Sequence, residues 1–156
     1  MLKGYNITED GKVLDLFGVH AKTRVDMMGN VWIEAPIIGK NLHQNVVWTA
    51  FNGQIPPRHS VAHVNGDKSN NHIKNLILLG PEETYIEAIN QWSGEERKSQ
   101  IPTEVYTAQG EFICLCATRQ HASFITEIST DNIRRCINGE RNFYRGLTFK
   151  NYRGDE

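Results

Sequence analysis

Short apolar runs alternate with turn signals through the first 40 residues of the chain. Asp10-Gly11 separates an apolar run at residues 5–7 from one at residues 13–16, and Gly29-Asn30 leads into another at residues 31–35. Short runs bounded by such glycine pairs are typical of β-hairpins. The pattern therefore predicts a small antiparallel sheet at the front of the chain.

A helical period begins in the next segment. Within residues 42–51 the apolar side chains recur with near-helical spacing. Asn52-Gly53 is expected to end this helix, because glycine is common just past a helix C-terminus. Pro56-Pro57 then favours extended backbone leading into a strand.

Residues 60–91 are predicted to fold as strand, loop, strand and helix. The strands are residues 60–64 and 76–79, each a short apolar run. The helix covers residues 81–91, with proline and two acids in its first turn, where helix geometry and the helix dipole favour them. Ile86 and Ile89 are expected to pack back on the hairpin.

Residues 92–102 are polar and charged and are interpreted as a linker. Beyond them, residues 104–107 and 111–115 flank an Ala-Gln-Gly turn, which predicts a second hairpin. Thr118 and Ser129 or Thr130 can then cap two short helices, the second over residues 131–137. Two short helices joined by a tight turn indicate a helix-turn-helix module.

Composition limits the classes of protein. With 39% hydrophobic residues, a chain of 156 residues can bury one sizeable core or two small ones. No apolar run approaches the roughly 20 residues of a membrane span, and the N-terminus lacks the apolar centre of a signal peptide. Three cysteines favour reduced thiols over a disulfide framework. We therefore expect a soluble, cytoplasmic protein with no membrane partner.

Charge is unevenly distributed. The net charge is −1, whereas residues 131–153 contain six basic residues against two acids, so this segment is +4 and the remainder −5. A positive C-terminal segment is expected if it lies on a phosphate backbone. An ordinary solvated polar face explains the charge equally well.

The segment from His63 to Leu76 points most directly to chemistry. It contains a histidine, a glycine turn at Asn65-Gly66-Asp67, and Asn75 twelve residues after the histidine. A neutral imidazole titrates near working pH and can activate water as a general base. We expect Asn75 to bridge the loop and to orient His63 toward a phosphodiester.

This segment resembles the HNH family of nucleases, in the form carried by phage and intron-encoded homing endonucleases. The likeness covers residues 42–91 and includes Ile55-Pro56 before the histidine and Asn75-Leu76 after it. Residues 105–149 resemble the small DNA-binding repeat attached C-terminally to many intron-encoded endonucleases. The resemblance implies an HNH nuclease followed by a DNA-binding module, with double-stranded DNA as its partner.

The predicted fold is α+β, with a small antiparallel N-terminal sheet plus a ββα-metal (HNH-like) core, and a C-terminal β-hairpin with a helix-turn-helix module. We expect a nuclease domain at residues 1–91, the linker at 92–102 and the DNA-binding module at 103–156.

Two positions depart from the family pattern. The residue before the catalytic histidine is commonly Asp, Asn or His and helps to hold a divalent metal, but here it is Ala62. The second ligand, Asn or His, usually lies twenty-one residues after the histidine, where this chain has Thr84. The implied cofactor is Mg²⁺ or Mn²⁺, and the remaining candidate ligands are the Thr84 hydroxyl, Glu83 and Glu87, the two acids being one helical turn apart.

The leading hypothesis is a metal-dependent, homing-type DNA endonuclease, phage or mobile-element encoded, that nicks or cleaves duplex DNA with His63 and Asn75 at its catalytic centre. The residues expected to contact DNA are Lys68, Asn132, Arg134, Arg135, Arg141 and Arg145. The alternative is a catalytically inactive DNA-binding or regulatory protein on the same scaffold. A third hypothesis is a module that binds a host protein factor, which the near-neutral charge leaves open.

Overall fold

The computed structural model describes residues 4–92 and 101–152. In these ranges the chain forms ten β-strands and four α-helices. In chain order they are β1 (Tyr5–Ile7), β2 (Val13–Asp15), β3 (Lys22–Val25), β4 (Val31–Ala35), β5 (Gly39–Leu42), α1 (His43–Asn52), β6 (Ser60–His63), β7 (Leu76–Leu79), α2 (Pro81–Gln91), β8 (Thr103–Thr107), β9 (Phe112–Cys116), α3 (Arg119–Thr126), α4 (Thr130–Ile137) and β10 (Leu147–Asn151). No helix in the described ranges is both long and apolar enough to cross a membrane.

The described strands form four small antiparallel sheets. β1 pairs with β2, β4 lies between β3 and β5, β6 pairs with β7, and β8 lies between β10 and β9. The predicted hairpins at both ends of the chain are confirmed. β10 was not predicted, because its partner β8 precedes it by about forty residues and no tight turn connects the two strands.

Helix α1 connects the front sheets to the strand that carries His63. It ends at Asn52, and Gly53 follows it with a φ of 87°, which confirms the predicted end of the helix. Val46 packs with Val13 and Ile33, whereas the fully buried Val47 packs with Val61 of β6 and Leu76 of β7. Burying one such side chain contributes about 1.5–3 kcal/mol. The helix therefore holds the β6–β7 hairpin against the N-terminal sheets.

The predicted order of strand, loop, strand and helix is observed for residues 60–91. In the β6–β7 hairpin His63 pairs with Leu76, and a 3-10 turn at Ile73–Asn75 precedes β7. The helix α2 has the predicted bounds, with Pro81 in its first turn.

The prediction that Ile86 and Ile89 pack on the hairpin is wrong. They remain 50% and 38% exposed, whereas Thr84 and Ala88 are buried. Ala88 packs with Phe112 and Leu115 of β9. Because α2 turns its small residues toward a sheet contributed from later in the chain, its two isoleucines are left at the surface.

The largest apolar cluster joins the two halves of the chain. Trp32 and Leu42 from the N-terminal sheet pack in one cluster with Val105, Ile113 and Phe149 from the C-terminal sheet. The division into two domains stays a prediction, and most of the predicted linker, residues 93–100, lies outside the described residues.

The C-terminal helices begin at the predicted caps. Thr118 Oγ1 accepts a hydrogen bond from the His121 backbone N–H at 3.0 Å, and Ser129 Oγ accepts from the Asn132 N–H at 3.3 Å. Such caps satisfy N–H groups that have no partner within the helix. Three residues join α3 to α4, and whether the pair acts as a helix-turn-helix on DNA stays a prediction.

Candidate active site

A small cleft lies between the β6–β7 hairpin, α2, β9 and α3. Its polar lining includes His63, Lys68, Thr84, Glu87, Gln91 and His121, and its volume is about 70 Å³. That space admits water-sized groups, so a larger ligand has to lie across its mouth. His63, at the end of β6, is half-buried and lines this cleft.

His63 is held by Asn71. The imidazole Nε2 lies 2.7 Å from Asn71 Oδ1, and Asn71 Nδ2 donates at 3.5 Å to the Lys68 carbonyl. An amide oxygen only accepts hydrogen bonds, so Nε2 carries the proton. In the tautomer with its proton on Nε2, the lone pair of Nδ1 is available to take a proton, which is what a general base requires.

Asn75 was predicted to orient His63, but its side chain makes no hydrogen bond to the imidazole. Asn75 Nδ2 donates to Asn65 Oδ1 at 3.0 Å and to the Asn70 carbonyl at 2.9 Å, while Asn75 Oδ1 accepts from the Asn65 N–H at 3.2 Å. Asn75 directly precedes β7, opposite the turn after β6, so its amide ties the base of the loop together. Asn71 was missed, although the Asn70-Asn71 pair inside the motif was the available signal.

The turn between β1 and β2 supports Asn71. Gly11 has a φ of 88°, and a Cβ at this position would stand 2.5 Å from the Asn71 carbonyl oxygen. The Gly11 carbonyl in turn accepts a hydrogen bond from His43 Nε2 at 2.6 Å. The buried Asn71 is thus set in place by a close backbone contact that only glycine permits.

Lys68 brings a cation into the same cleft. Its Nζ donates to the Met28 carbonyl at 3.0 Å, in the turn between β3 and β4. That turn is fixed by Asp26, whose Oδ1 accepts from the backbone N–H groups of Met28 at 2.8 Å and Asn30 at 3.1 Å. The ammonium is therefore anchored by a neutral acceptor on a rigid turn.

Helix α2 presents Thr84 and Glu87 to the cleft but not Glu83. The Glu83 carboxylate accepts from the Gly80 N–H at 3.2 Å, which caps the helix and removes it from the site. Glu87 Oε1 accepts from Gln91 Nε2 at 2.9 Å, and burial raises the pKa of its carboxyl. Thr84 is buried, with its hydroxyl 2.9 Å from Ser60 Oγ.

Comparison with known proteins relates part of the chain to one family. Residues 41–84 match the family model described as HNH endonuclease. This segment thus carries the HNH nuclease pattern. A solved structure described as "DNA binding and cleavage by the HNH homing endonuclease I-HmuI" is similar at 18% identity, over 98% of this chain and 94% of that one, with a TM-score of 0.48. A likeness of this size assigns no role to any residue here. No curated protein matches the chain.

The donors of the HNH segment do not fit the usual metal site. HNH nucleases generally use divalent metal ions. Here Ala62 offers no side-chain oxygen, the Thr84 hydroxyl is engaged with Ser60, and Glu83 is turned away as a cap. Glu87 is the one carboxylate among the cleft-lining residues, and the described ranges hold no group of three or more His, Cys, Asp or Glu suited to a metal ion. Contrary to the prediction, Glu83 lies outside the cleft and caps α2, whereas Thr84 and Glu87 as metal ligands stay predictions.

His121, on α3, also lines this cleft. Its Nδ1 accepts from the Ala117 N–H at 3.0 Å, and its ring stacks on Trp92 with centroids 4.9 Å apart. Burial, with a smaller contribution from the Lys68 charge, lowers the pKa of His121 to about 4. The sequence offered no signal that this histidine, far along the chain, would line the same cleft as His63.

The buried neutral His121 predicts a pH-dependent stability. Because its pKa is about 4 folded and about 6.5 unfolded, the unfolded chain binds the extra proton first as pH falls. The free energy of unfolding should therefore fall between about pH 6.5 and pH 4. Urea unfolding across this range should show a flatter dependence for His121→Asn. Burial also lowers the pKa of His43, and this contribution is the same in the wild type and in His121→Asn. Identical dependence of stability on pH in the two would therefore contradict the role of His121.

The cations expected to contact DNA have partners of their own. Arg134 pairs with Asp131 Oδ1 at 2.7 Å and Arg135 with Asp131 Oδ2 at 3.0 Å, whereas Asn132 Nδ2 donates to Ser129 Oγ at 3.0 Å. Arg141 and Arg145 lie over the Tyr144 ring at 5.2 and 5.4 Å. Of the predicted DNA contacts, Lys68 alone lines the HNH cleft.

Proposed function

We propose that the protein is an HNH-type DNA endonuclease that binds duplex DNA and hydrolyses a phosphodiester bond. The observation that carries this proposal is the Asn71 to His63 hydrogen bond, which fixes the imidazole with its proton on Nε2 at the edge of a cleft. The match of residues 41–84 to the HNH endonuclease family supports the reaction class.

The proposed step is the attack of water on phosphorus. His63 Nδ1 takes a proton from the water, the water oxygen forms a bond to phosphorus, and the bond to the leaving sugar oxygen breaks with its electron pair. Solvent supplies a proton to that oxygen. Asn71 is a positioning residue in this scheme, and Asn75 acts one step further away, by closing the loop that holds Asn71.

A plasmid assay tests the proposal. Purified protein is incubated with supercoiled plasmid, with Mg²⁺, with Mn²⁺ and with EDTA, while duplex binding is followed by fluorescence anisotropy. We expect nicked circles or linear product from the wild type and none from a parallel preparation of His63→Ala, which controls for contaminating nucleases.

The second candidate is a catalytically inactive DNA-binding or regulatory protein on the same scaffold. Ala62 and Thr84 at the family's ligand positions favour it. Duplex binding without nicking under every condition would support this DNA-binding function. Failure to bind duplex DNA at low salt would overturn both and favour a protein partner. The cytoplasmic location and the phage or mobile-element origin stay predictions.

We further propose that α4 and the following segment contact DNA through Arg134, Arg135, Arg141 and Arg145, with Asn132 beside them. Phosphate groups would replace Asp131 as the partner of Arg134 and Arg135, because all three side chains are solvent-accessible. The helix-turn-helix arrangement of α3 and α4 is part of this proposal.

Two variants should shift DNA affinity in opposite directions. Arg134→Ala with Arg135→Ala should weaken duplex binding and reduce the slope of log K against log salt by about 2, or about 1 per lost phosphate contact. Asp131→Asn should strengthen binding, since it releases both guanidinium groups. Salt titrations by fluorescence anisotropy measure both effects, with Glu111→Gln, a charge change in the exposed turn before β9, as the control. An unchanged slope in the double variant would remove α4 from the interface.

A further inference from the structure

The cleft contains a cation where the HNH family is expected to hold a metal ion. Lys68 and His63 both line it, and Lys68 Nζ makes one hydrogen bond, to the neutral Met28 carbonyl. Within residues 4–92 and 101–152, Lys68 forms no salt bridge. Its charge acts on the Glu87 carboxyl and lowers that pKa against the larger effect of burial, whereas the Asp67 carboxylate is engaged by the Ser69 N–H at 3.0 Å and hydroxyl at 2.6 Å. An ammonium has three N–H donors, so two remain for phosphate oxygens.

At the positions predicted to hold a divalent ion, the side-chain oxygens are absent or engaged, except at Glu87. Ala62 has none, Thr84 is bonded to Ser60, and Glu83 caps α2. Glu87 remains, but one protein carboxylate already bonded to Gln91 is a poorer site than the two ligands that the family uses.

We propose that the Lys68 ammonium provides the positive charge that a divalent metal provides in other HNH nucleases, so that His63 and Lys68 together hydrolyse the phosphodiester without a bound metal ion. This inference rests on the proposed function. Lys68 donates hydrogen bonds to the non-bridging phosphate oxygens and stabilises the charge that develops as water attacks.

Water is the only co-reactant that this hydrolysis requires. His63 Nδ1 receives the proton of the attacking water, and the leaving sugar oxygen departs with the electron pair of the broken bond and is protonated by solvent. Lys68 keeps its proton throughout. Anchoring by Met28, in a turn held by Asp26, places the ammonium before substrate arrives, so that little reorganisation is needed during the reaction.

The decisive measurement is nicking of supercoiled plasmid by the full chain in excess EDTA. We expect the rate to remain within about threefold of the rate in Mg²⁺. Lys68→Met should reduce nicking about 100-fold in EDTA, the typical cost of losing one stabilising donor, while Lys68→Arg should retain most of the activity. Lys74→Met removes an exposed lysine outside the cleft and is the matched control.

A structural role for Lys68 gives a different result. If Lys68 serves merely as a latch between the motif loop and the β3–β4 turn, Lys68→Met should lower thermal stability and its activity should recover at lower temperature. Circular dichroism melting therefore accompanies each rate. A folded Lys68→Met protein that nicks as fast as the wild type overturns the inference.

The remaining outcomes separate the inference from the proposed function. Nicking that disappears in EDTA and returns with Mg²⁺ or Mn²⁺ overturns the role of Lys68 but leaves the endonuclease intact. Absence of nicking in every condition overturns both. Titration of Mn²⁺, followed by its electron paramagnetic resonance signal, should show no site at stoichiometric concentration. A site that binds Mn²⁺ and is lost in Glu87→Gln would also contradict metal-free cleavage.

Discussion

His63→Ala is expected to reduce the rate of plasmid nicking by about 10²–10⁴-fold, the usual contribution of a positioned general base. Asn71 fixes the proton on Nε2, so the wild-type ring offers Nδ1 to the attacking water, and alanine offers no acceptor. Duplex affinity should stay within about twofold of the wild type, since phosphate contacts by lysine and arginine supply most of the binding energy. The measurement is the single-turnover nicking rate beside anisotropy-based duplex affinity.

A second histidine provides the control for this prediction. His59 lies four residues before His63, but its Nδ1 donates to the Pro57 carbonyl at 3.0 Å and its side chain is outside the cleft. His59→Ala should therefore nick at close to the wild-type rate. If both variants lose nicking activity equally, the substitutions act through a general effect on the hairpin. If both keep the wild-type nicking rate, His63 is not the general base.

Gly11→Ala should both destabilise the protein and slow nicking. The added Cβ would stand 2.5 Å from the Asn71 carbonyl oxygen, and the φ of 88° disfavours any L side chain. We expect a loss of about 2–5 kcal/mol in the free energy of unfolding, from left-handed backbone and from steric overlap. Because Asn71 has to move, nicking at a temperature where the variant is folded should fall by about tenfold or more.

Gly18→Ala separates the two effects. Gly18 has a similar φ of 79°, but a Cβ there meets nothing within 4 Å. The change should cost about 1–2 kcal/mol from backbone strain alone and leave the nicking rate unchanged. Urea unfolding and single-turnover rates measure both variants. Equal nicking rates for Gly11→Ala and Gly18→Ala would contradict the support of Asn71 by the β1–β2 turn.

Local pattern accounts for most of the elements. The end of α1 at Gly53, the bounds of α2, the caps at Thr118 and Ser129, and the hairpins followed from residue spacing and turn chemistry. These are interactions between residues a few positions apart. β10 and the face that α2 buries were not predictable in this way, because each depends on a strand from another part of the chain.

The same distinction holds for the candidate site. The residues from His63 to Asn75 were sufficient to select the histidine and the HNH pattern, since that motif lies in one continuous segment. Which asparagine reaches the imidazole depends on the path of the loop, and Asn75 was chosen where Asn71 makes the contact. Glu83 was a candidate ligand by spacing, but capping of α2 decides where its carboxylate points.

The sequence by itself determined the helices, the hairpins and the identity of His63, because propensity, turn residues and motif order act over short stretches of chain. Only the tertiary structure showed that Gly11 lies against the Asn71 backbone, that Lys68 donates to the Met28 carbonyl, and that His121 lines the same cleft as His63. Those contacts join segments separated by dozens of residues. Their geometry is decided by how the packed sheets meet, which no local pattern encodes.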